Sequence, residues 1–143
     1  MHEWSLAEAL ISKIEEVSSG RTPLHAKVSI GELMEIEVDV LKEALNVLAK
    51  ERGMDRLTFT INVEETSFKC NSCGLEWKWK EVAKRMAKEL EPYQIIDEGE
   101  PTTPFHFLPY LAHAILKCPK CGSRDFEIKS GNTAKLLSVV VEE

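Results

Sequence analysis

The chain has 143 residues, 43% of them hydrophobic and 29% charged, which is typical of a globular protein of one domain or of one domain with an appendage. Its formal net charge is −6, from 18 basic and 24 acidic side chains, and this acidity argues against general nucleic-acid binding. No apolar run approaches the roughly 20 residues of a membrane span, and no secretory signal pattern opens the chain, so we expect a cytoplasmic protein that does not enter a membrane.

The tripeptide Met1-His2-Glu3 presents nitrogen donors for one metal ion. The free amine of Met1, the backbone amide of His2 and the His2 imidazole form two fused chelate rings, and such donors suit square-planar Ni(II) or Cu(II). Three donors leave a fourth position open. The alternative for His2 is an ordinary exposed residue. Glu3 is a second-tier ligand candidate, and its alternative is a solvated acid near a helix N-terminus.

The first half of the chain has the pattern of a two-layer α/β unit. A capping box of Ser5 and Glu8 predicts that a first helix begins close to the His2 tripeptide. Its apolar residues recur at helical spacing: Leu6, Leu10, Ile14 and Val17. A half-buried strand is predicted over 25–30, a second helix from about 40 to near Gly53, and an alternating strand over 57–63. The order helix, strand, helix, strand completes the unit.

The cysteines form two Cys-x-x-Cys-Gly motifs, in which a tight turn places both sulfurs on one side and glycine supplies a positive φ. Together the motifs supply the four thiolates of a closed structural zinc site: Cys70, Cys73, Cys118 and Cys121. Redox-active pairs or buried free thiols are the alternatives. The 44 residues between Cys73 and Cys118 exceed the ~15–20 of a compact ribbon, so a sizeable segment is inserted between the two halves.

The remaining patterns complete an α+β prediction. Trp77 and Trp79 alternate with lysines and predict a short strand, 82–90 a helix, and 126–129 a further strand. The apolar run 136–141, with its three consecutive valines, predicts a strand that is buried on both faces and returns to the first sheet. We therefore expect two helices on a three-stranded sheet in a domain of residues 1–66 plus 130–143. An inserted zinc-ribbon-like domain with a helical insertion would occupy residues 67–129.

Several motifs, taken in order, resemble the HypA family of nickel metallochaperones that mature [NiFe] hydrogenases. They are Met1-His2-Glu3 before a helix, Gly31-Glu32-Leu33 after the first strand, Phe68-Lys69-Cys70 before the first turn, and Cys118-Pro119-Lys120-Cys121-Gly122. The match extends over nearly the whole chain. The long segment between the cysteine motifs resembles the extended archaeal-type form.

The resemblance implies that Ni(II) is a transferred cargo bound by the amine of Met1 and by the amide and imidazole of His2. The fourth ligand would be His106, in the stretch His106-Phe107-Leu108-Pro109, although a histidine between aromatics is often simply packed. His113 is expected to be structural. Zinc would be structural on the four cysteines. The implied partners are a HypB-type GTPase and the hydrogenase large-subunit precursor.

Two other functions compete with a metallochaperone. The first is a zinc-ribbon module for nucleic acid or transcription machinery, in which Trp77 and Trp79 stack on bases beside several lysines; otherwise these tryptophans simply cover the cysteine turn. The second is an enzyme with a catalytic metal at His2, His106 and His113, for which no motif such as His-Glu-x-x-His is present. We expect a metallochaperone and not an enzyme.

Overall fold

The computed structural model describes residues 2–83, 95–97, 100–102 and 116–143, with the backbone alone described for His2, 95–97 and 100–102. The chain divides into two compact units. The first comprises Met1–Ile30, Ile36–Asn62 and Ala134–Glu143, and the second comprises Gly31–Glu35 and Val63–Thr133. The short segment Gly31–Glu35 thus groups with the second unit, whereas the sequence analysis placed it in the first domain.

The helices and strands follow one another in a mixed order. They are α1 (His2–Ser18), β1 (Pro23–Gly31), α2 (Val38–Glu51), β2 (Thr58–Glu64), β3 (Ser67–Cys70), β4 (Glu76–Lys78), β5 (Ile95–Asp97), β6 (Glu100–Thr102), β7 (Phe126–Ser130) and β8 (Ala134–Val141). A 3-10 helix at Glu32–Met34 lies between β1 and α2, and residues 79–83 are helical. Among the described residues, no helix is both long and apolar enough to cross a bilayer.

The first unit is built around a three-stranded sheet in the order β2-β1-β8, with β8 antiparallel to β1. Its core is closed by residues with at most 1% exposure from both helices and the central strand: Ile11, Ile14, Ala26, Val28, Ile30, Leu41 and Leu45. Alternation along β1 and helical spacing along α1 and α2 bring these side chains to one layer boundary. The predicted arrangement of two helices and a three-stranded sheet is confirmed.

The start of α1 differs from the prediction. The helix begins at His2, so Ser5 and Glu8 lie inside it and the predicted capping box does not form its start. A buried contact of Glu3 explains the earlier beginning, because its carboxylate accepts a hydrogen bond from the backbone of Glu37. The helix therefore extends N-terminally from the predicted cap and includes His2 in its first turn.

The last strand is also less buried than predicted. It pairs with β1 at the position of the third strand, as expected, but Val140 is 53% exposed and Leu137 is 51% exposed. The expectation of burial on both faces is wrong because half-buried and exposed residues alternate along most of β8, so only one of its faces is covered. A register shift between Lys27 and Val28 also leaves Leu137 as an extra residue in the pairing. Such a bulge makes an edge strand a poorer template for unwanted pairing.

The second unit contains the antiparallel sheet β4-β3-β7 over a compact aromatic core, and β5 pairs antiparallel with β6. The ring of Phe68 stacks on that of Trp77 at 5.2 Å and meets Phe126 edge-on at 5.5 Å. The strand β3 was not predicted. Trp77 lies in β4 as expected, but Trp79 lies in the helical stretch 79–83, so that part of the strand prediction is wrong.

A local hydrogen bond explains why the strand ends before Trp79. The carboxylate of Glu81 accepts a hydrogen bond from the backbone N–H of Lys78 at 3.4 Å, the contact of a capping box at a helix N-terminus. The helix predicted over 82–90 therefore begins three residues earlier, at residue 79. Its remaining residues, 84–90, lie outside the described part of the chain.

Candidate metal centres

Two turns of the second unit share one backbone conformation. The N–H of Gly74 donates to the Cys70 carbonyl, and the N–H of Gly122 donates to the Cys118 carbonyl, both at 3.0 Å. Both glycines have a positive φ, +78° and +73°, which an L side chain adopts only with strain. The predicted role of these two glycines is thus observed. We call the segments 70–74 and 118–122 the first and second cysteine turns.

The two turns bring four sulfur atoms together. All four cysteine sulfurs lie within 4.8 Å of one another, and no disulfide joins them. Two separations cross between the turns: 3.5 Å from Cys70 to Cys121 and 3.6 Å from Cys73 to Cys118. A tetrahedral ion with bonds of about 2.3 Å to sulfur would separate its ligands by about 3.8 Å. The cluster therefore fits one tetrahedral metal ion, and it is the sole such group of histidine, cysteine and acidic side chains among the described residues.

The backbone around the sulfurs favours thiolates at two of the four positions. The N–H of Cys73, 3.5 Å from the Cys70 sulfur, is the main reason that the pKa of Cys70 falls to about 6, against the opposing effect of burial. At Cys118 burial raises the pKa, but the N–H groups of Cys121 and Lys120 outweigh it and the net pKa is lowered. Hydrogen bonds to the ionised sulfur explain both shifts.

The thiol of Cys121 differs from those of Cys70 and Cys118, because its pKa is raised. The N–H of Ser123 lowers the pKa of Cys121, but burial and the neighbouring thiols raise it by more, so that the pKa is about 11. Hydrogen bonding to the neighbouring sulfurs stabilises the protonated thiol of Cys121, so its proton is hard to remove. A bound divalent cation would remove that opposition, because metal binding and thiol deprotonation are linked. The donor set therefore suits a thiophilic cation.

The cysteine cluster rests on apolar side chains. Cys70 and Cys118 are buried in one cluster with Leu33, Phe68 and Leu116, each at most 2% exposed. Leu33 comes from the Gly31-Glu32-Leu33 motif, far from the cysteines in sequence. Sequence reasoning treated that motif as the end of a strand and missed its place in the core. No periodic pattern marks it, and the family motif is the one signal that pointed to these residues.

Thr66 is a second residue that sequence reasoning missed. It is 0% exposed, and its hydroxyl accepts a hydrogen bond from the Leu33 N–H at 3.1 Å and donates one to the Gly131 carbonyl at 2.8 Å. Gly131 has φ +76°, and a Cβ atom there would lie 2.5 Å from atoms of Thr66. We call Thr66, Leu33 and Gly131 the junction cluster. It binds three chain segments of the second unit to one another.

The predicted nickel ligands are described only in part. The His2 backbone lies in the first turn of α1, whereas Met1, His106 and His113 lie outside the described residues. Glu3 is 7% exposed, and its carboxylate accepts the Glu37 N–H at 3.3 Å, so the alternative of a solvated acid is wrong. Whether Glu3 is a ligand stays a prediction.

The imidazole of His25, for which the sequence predicts no role in a site, forms hydrogen bonds within the first sheet. Its two ring nitrogens lie 2.7 Å and 2.8 Å from the hydroxyls of Thr58 and Thr60. The Thr58 hydroxyl donates to the Leu24 carbonyl, so it accepts from Nδ1–H of the imidazole. Neither nitrogen is left for a metal ion.

The aromatic residues do not form the surface expected of a base-stacking protein. Trp77 is 4% exposed and packs between Phe68 and Phe126, with its ring 5.6 Å from that of Phe126. It therefore covers the core below the first cysteine turn and offers no open face to a base. This favours the alternative in which the tryptophan is structural.

Comparison with known proteins decides the family. The family described as "Hydrogenase/urease nickel incorporation, metallochaperone, hypA" matches residues 1–141. The chain belongs to the HypA family. Among relatives, the hydrogenase maturation factor HypA of Thermococcus sibiricus is 33% identical over 99% of this chain and 97% of its own length. The hydrogenase maturation factor HypA of Pyrococcus furiosus is 32% identical over 100% of this chain and 97% of its own length.

Solved structures support the fold. The solution structure of the Ni metallochaperone HypA from Helicobacter pylori has a TM-score of 0.56 and 20% identity, covering 97% of this chain and 96% of that one. A second HypA solution structure has a TM-score of 0.57 and 21% identity, covering 99% and 97%. The predicted family and α+β fold are confirmed. HypA proteins are metallochaperones for nickel incorporation, and the comparisons give no support to the nucleic-acid alternative.

Proposed function

We propose that this HypA protein binds Ni(II) and delivers it during maturation of a [NiFe] hydrogenase. The observation that carries the proposal is membership of a nickel-incorporation family over residues 1–141, a match that includes Met1 and His2. The start of α1 at His2 supports it, because a helix gives the donor groups of that first turn a fixed direction. The buried Glu3 further holds this turn in place.

The ligands of the cargo would be the Met1 amine, the amide and imidazole of His2, and His106. The first three belong to one chelate, so the loss of any one of them is opposed by the two that stay bound and hold it close to the metal. His106 would be a separate, single-atom ligand, whose loss costs less than dismantling the chelate. Release to an acceptor would therefore begin with His106. This is ligand exchange and involves no bond-making catalysis, so we propose that the protein is not an enzyme.

The four cysteines would hold a resident Zn(II) ion with a structural role. The cross-turn sulfur separations of 3.5 Å and 3.6 Å support this, because they approach those of a tetrahedral thiolate site. Four protein ligands leave no position for water or substrate, as in structural zinc sites. Bound zinc would join the two turns across the long intervening segment. The buried Glu3 would position the first turn of α1 at the nickel site, and its direct ligand role stays a second-tier prediction.

The partners follow from the family's role. We propose that a HypB-type GTPase and the large-subunit precursor of the hydrogenase are the partners of this protein in nickel delivery. Hydrogenase maturation by HypA relatives supports the second of these. We place the protein in the cytoplasm, where four free thiols stay reduced and able to bind metal.

A nickel titration tests the proposed chelate. Protein with its native N-terminus is titrated with Ni(II) by calorimetry and visible absorption, beside a form whose N-terminal amine is acetylated. We expect tight binding with the spectrum of planar nickel in the native form and its loss in the acetylated form. His2→Ala should abolish this binding, whereas His25→Gln is the matched control, because His25 is engaged by two threonines. Equal binding by the native and acetylated forms would place nickel elsewhere.

A second experiment tests delivery. His106→Ala protein is loaded with nickel and mixed with hydrogenase precursor and the GTPase, and nickel incorporation is measured over time. We expect the variant to retain nickel more weakly than the native protein does. The spectrum of the variant should still show the chelate that includes His2. If His106→Ala leaves both retention and spectrum unchanged, His106 is not the fourth ligand. If nickel-loaded native protein matures no precursor, the delivery function itself is refuted.

A further inference from the structure

Each cysteine turn has hydrogen bonds of its own, and these do not fix one turn against the other. Within a turn, backbone N–H groups set the local geometry, such as Cys73 N–H to the Cys70 sulfur at 3.5 Å and Lys120 N–H to the Cys118 sulfur at 3.4 Å. Two close sulfur contacts, of 3.5 Å and 3.6 Å, join one turn to the other. The shape of the metal site therefore depends on how the turns dock.

Four polar residues join the first turn to the segment that directly follows the second. Asn71 donates twice to Asp125, from its backbone N–H to the carbonyl at 2.9 Å and from its side-chain amide to the carboxylate at 3.0 Å. The Ser72 hydroxyl donates to the Ser123 hydroxyl at 3.0 Å. The Ser123 hydroxyl also accepts the Asp125 N–H at 3.0 Å, which ties the two contacts into one network. We call Asn71, Ser72, Ser123 and Asp125 the turn latch.

The latch lies beside the sulfurs and not at a distant part of the sheet. Asn71 and Ser72 are the two residues between Cys70 and Cys73, and Ser123 comes one residue after Gly122. Ser72 comes two residues after Cys70 and Ser123 two residues after Cys121, and the sulfurs of these two cysteines lie 3.5 Å apart across the turns. The hydroxyl contact thus lies beside this cross-turn sulfur pair. None of the contacts within the turn latch involves a cysteine sulfur.

We propose that the turn latch positions the cysteine sulfurs for zinc and governs how tightly the site retains it. Because the latch docks the turns before the metal arrives, less conformational freedom is lost on binding, as for other preorganised sites. It also resists the separation of the turns through which zinc must leave. This inference rests on the proposed zinc site and adds positioning residues that are not ligands. Outer residues that orient metal ligands typically change metal affinity by roughly 10–100-fold.

An exchange of Asn71 and Asp125 gives the sharpest test. Asn71→Asp places two carboxylates face to face and removes the side-chain donor, whereas Asn71→Asp combined with Asp125→Asn restores a donor and an acceptor in reversed positions. Zinc release from reconstituted full-length protein is followed with a chromophoric chelator. We expect the single variant to release zinc about tenfold faster, and the double variant to return to within about twofold of the native rate. Asn46→Asp, an exposed position in α2, is the control for added charge.

Thermal unfolding separates positioning from general stability. A latch with only a structural role would lower the unfolding midpoints of zinc-loaded and chelator-treated protein alike and leave the release rate unchanged. That result, or a double variant that releases zinc as fast as the single one, would overturn the inference. If the native protein itself takes up no zinc on reconstitution, the proposed zinc site fails and the inference fails with it. If the native protein retains zinc and the variants release it at the native rate, the inference about the turn latch is refuted and the proposed zinc site stands.

Discussion

The carboxylate of Glu3 accepts a hydrogen bond from the backbone N–H of Glu37 at 3.3 Å, which joins the first turn of α1 to the residue directly before α2. Glu3 directly follows His2, the central residue of the proposed nickel chelate. A buried acceptor at this position holds the first turn in one place relative to the neighbouring helix. The donors of the proposed chelate thus start from an anchored backbone.

The first prediction concerns this anchor. Glu3→Ala removes the acceptor and leaves the Glu37 N–H without it, which should lower the free energy of unfolding by about 1–3 kcal/mol. Urea unfolding measures that change. Glu3→Gln keeps a side-chain oxygen and should lose less. An Ala variant as stable as the native protein would mean that water replaces the carboxylate at no cost.

The second prediction concerns the junction cluster. Thr66→Val keeps the shape of the side chain but removes the hydroxyl that bonds Leu33 and Gly131, so we expect a loss of about 1–3 kcal/mol in unfolding free energy. Thr66→Ser keeps the hydroxyl and is the matched control, losing one methyl group. Equal losses in the two variants would show that packing of the methyl group, and not hydrogen bonding, gives Thr66 its importance.

The third prediction concerns metal removal. Stripping zinc with a strong chelator should loosen the second unit, because zinc binding free energy acts as folding free energy in small metal sites, at roughly 10–16 kcal/mol in zinc-finger peptides. The stacked Phe68 and Trp77 give a near-ultraviolet circular dichroism signal that should fall. Far-ultraviolet signal from α1 and α2 should remain. An unchanged aromatic signal in zinc-free protein would show that the apolar core alone holds this unit together.

The fourth prediction concerns pH. The Glu65 carboxylate lies 3.1 Å from the Lys78 ammonium and 3.5 Å from that of Lys80, and the hydrogen bond from Lys78 is the main cause that lowers its pKa below 4.5. A lowered folded pKa means that the stabilisation is present above the ordinary value and is lost as the pH falls through the lowered one. The same contact raises the pKa of Lys78 above 10.5, so its share is lost at the alkaline end.

A nuclear magnetic resonance titration of the Glu65 carboxyl group checks this prediction. In Lys78→Met protein the Glu65 pKa should move up toward its ordinary value, and added salt should produce a smaller change in the same direction, since the pair is exposed and screened. Lys69→Met, on the neighbouring strand, is the control for loss of a nearby cation. A Glu65 titration that is the same in both variants would show that Lys78 does not control this carboxylate.

Local patterns in the sequence were enough to predict the layers and the cysteine turns. Helical spacing in α1 and α2 and alternation in β1 mark the buried faces directly, and two Cys-x-x-Cys-Gly motifs specify two tight turns. These features depend on residues close together in sequence. The same is true of the strand β7, which the pattern placed within one residue of its observed end.

Features that depend on distant segments were not predicted. Leu33 belongs to the core below the cysteines, and Thr66 bonds residues 33 and 65 positions away, relationships that leave no local period. The strand β3 has four residues, too few for alternation to stand out. In β8 the run of valines looks like an interior strand, but its place at the sheet edge is set by the order in which strands pair. Residues that lie outside the described ranges, including His106, leave the fourth nickel ligand a prediction.

The place of Leu33 determines how this protein can be divided. A fragment cut as residues 67–129 would contain all four cysteines but would lack Leu33 and Thr66, both fully buried in the second unit. Such a fragment would have a hole beneath its cysteine turns, and grafting it into another protein would transfer the ligands without their support. The smallest portable version must carry the stretch Gly31–Glu35 as well. The same requirement applies to exchange of this unit between relatives, because both of its segments, Gly31–Glu35 and Val63–Thr133, would have to be exchanged together.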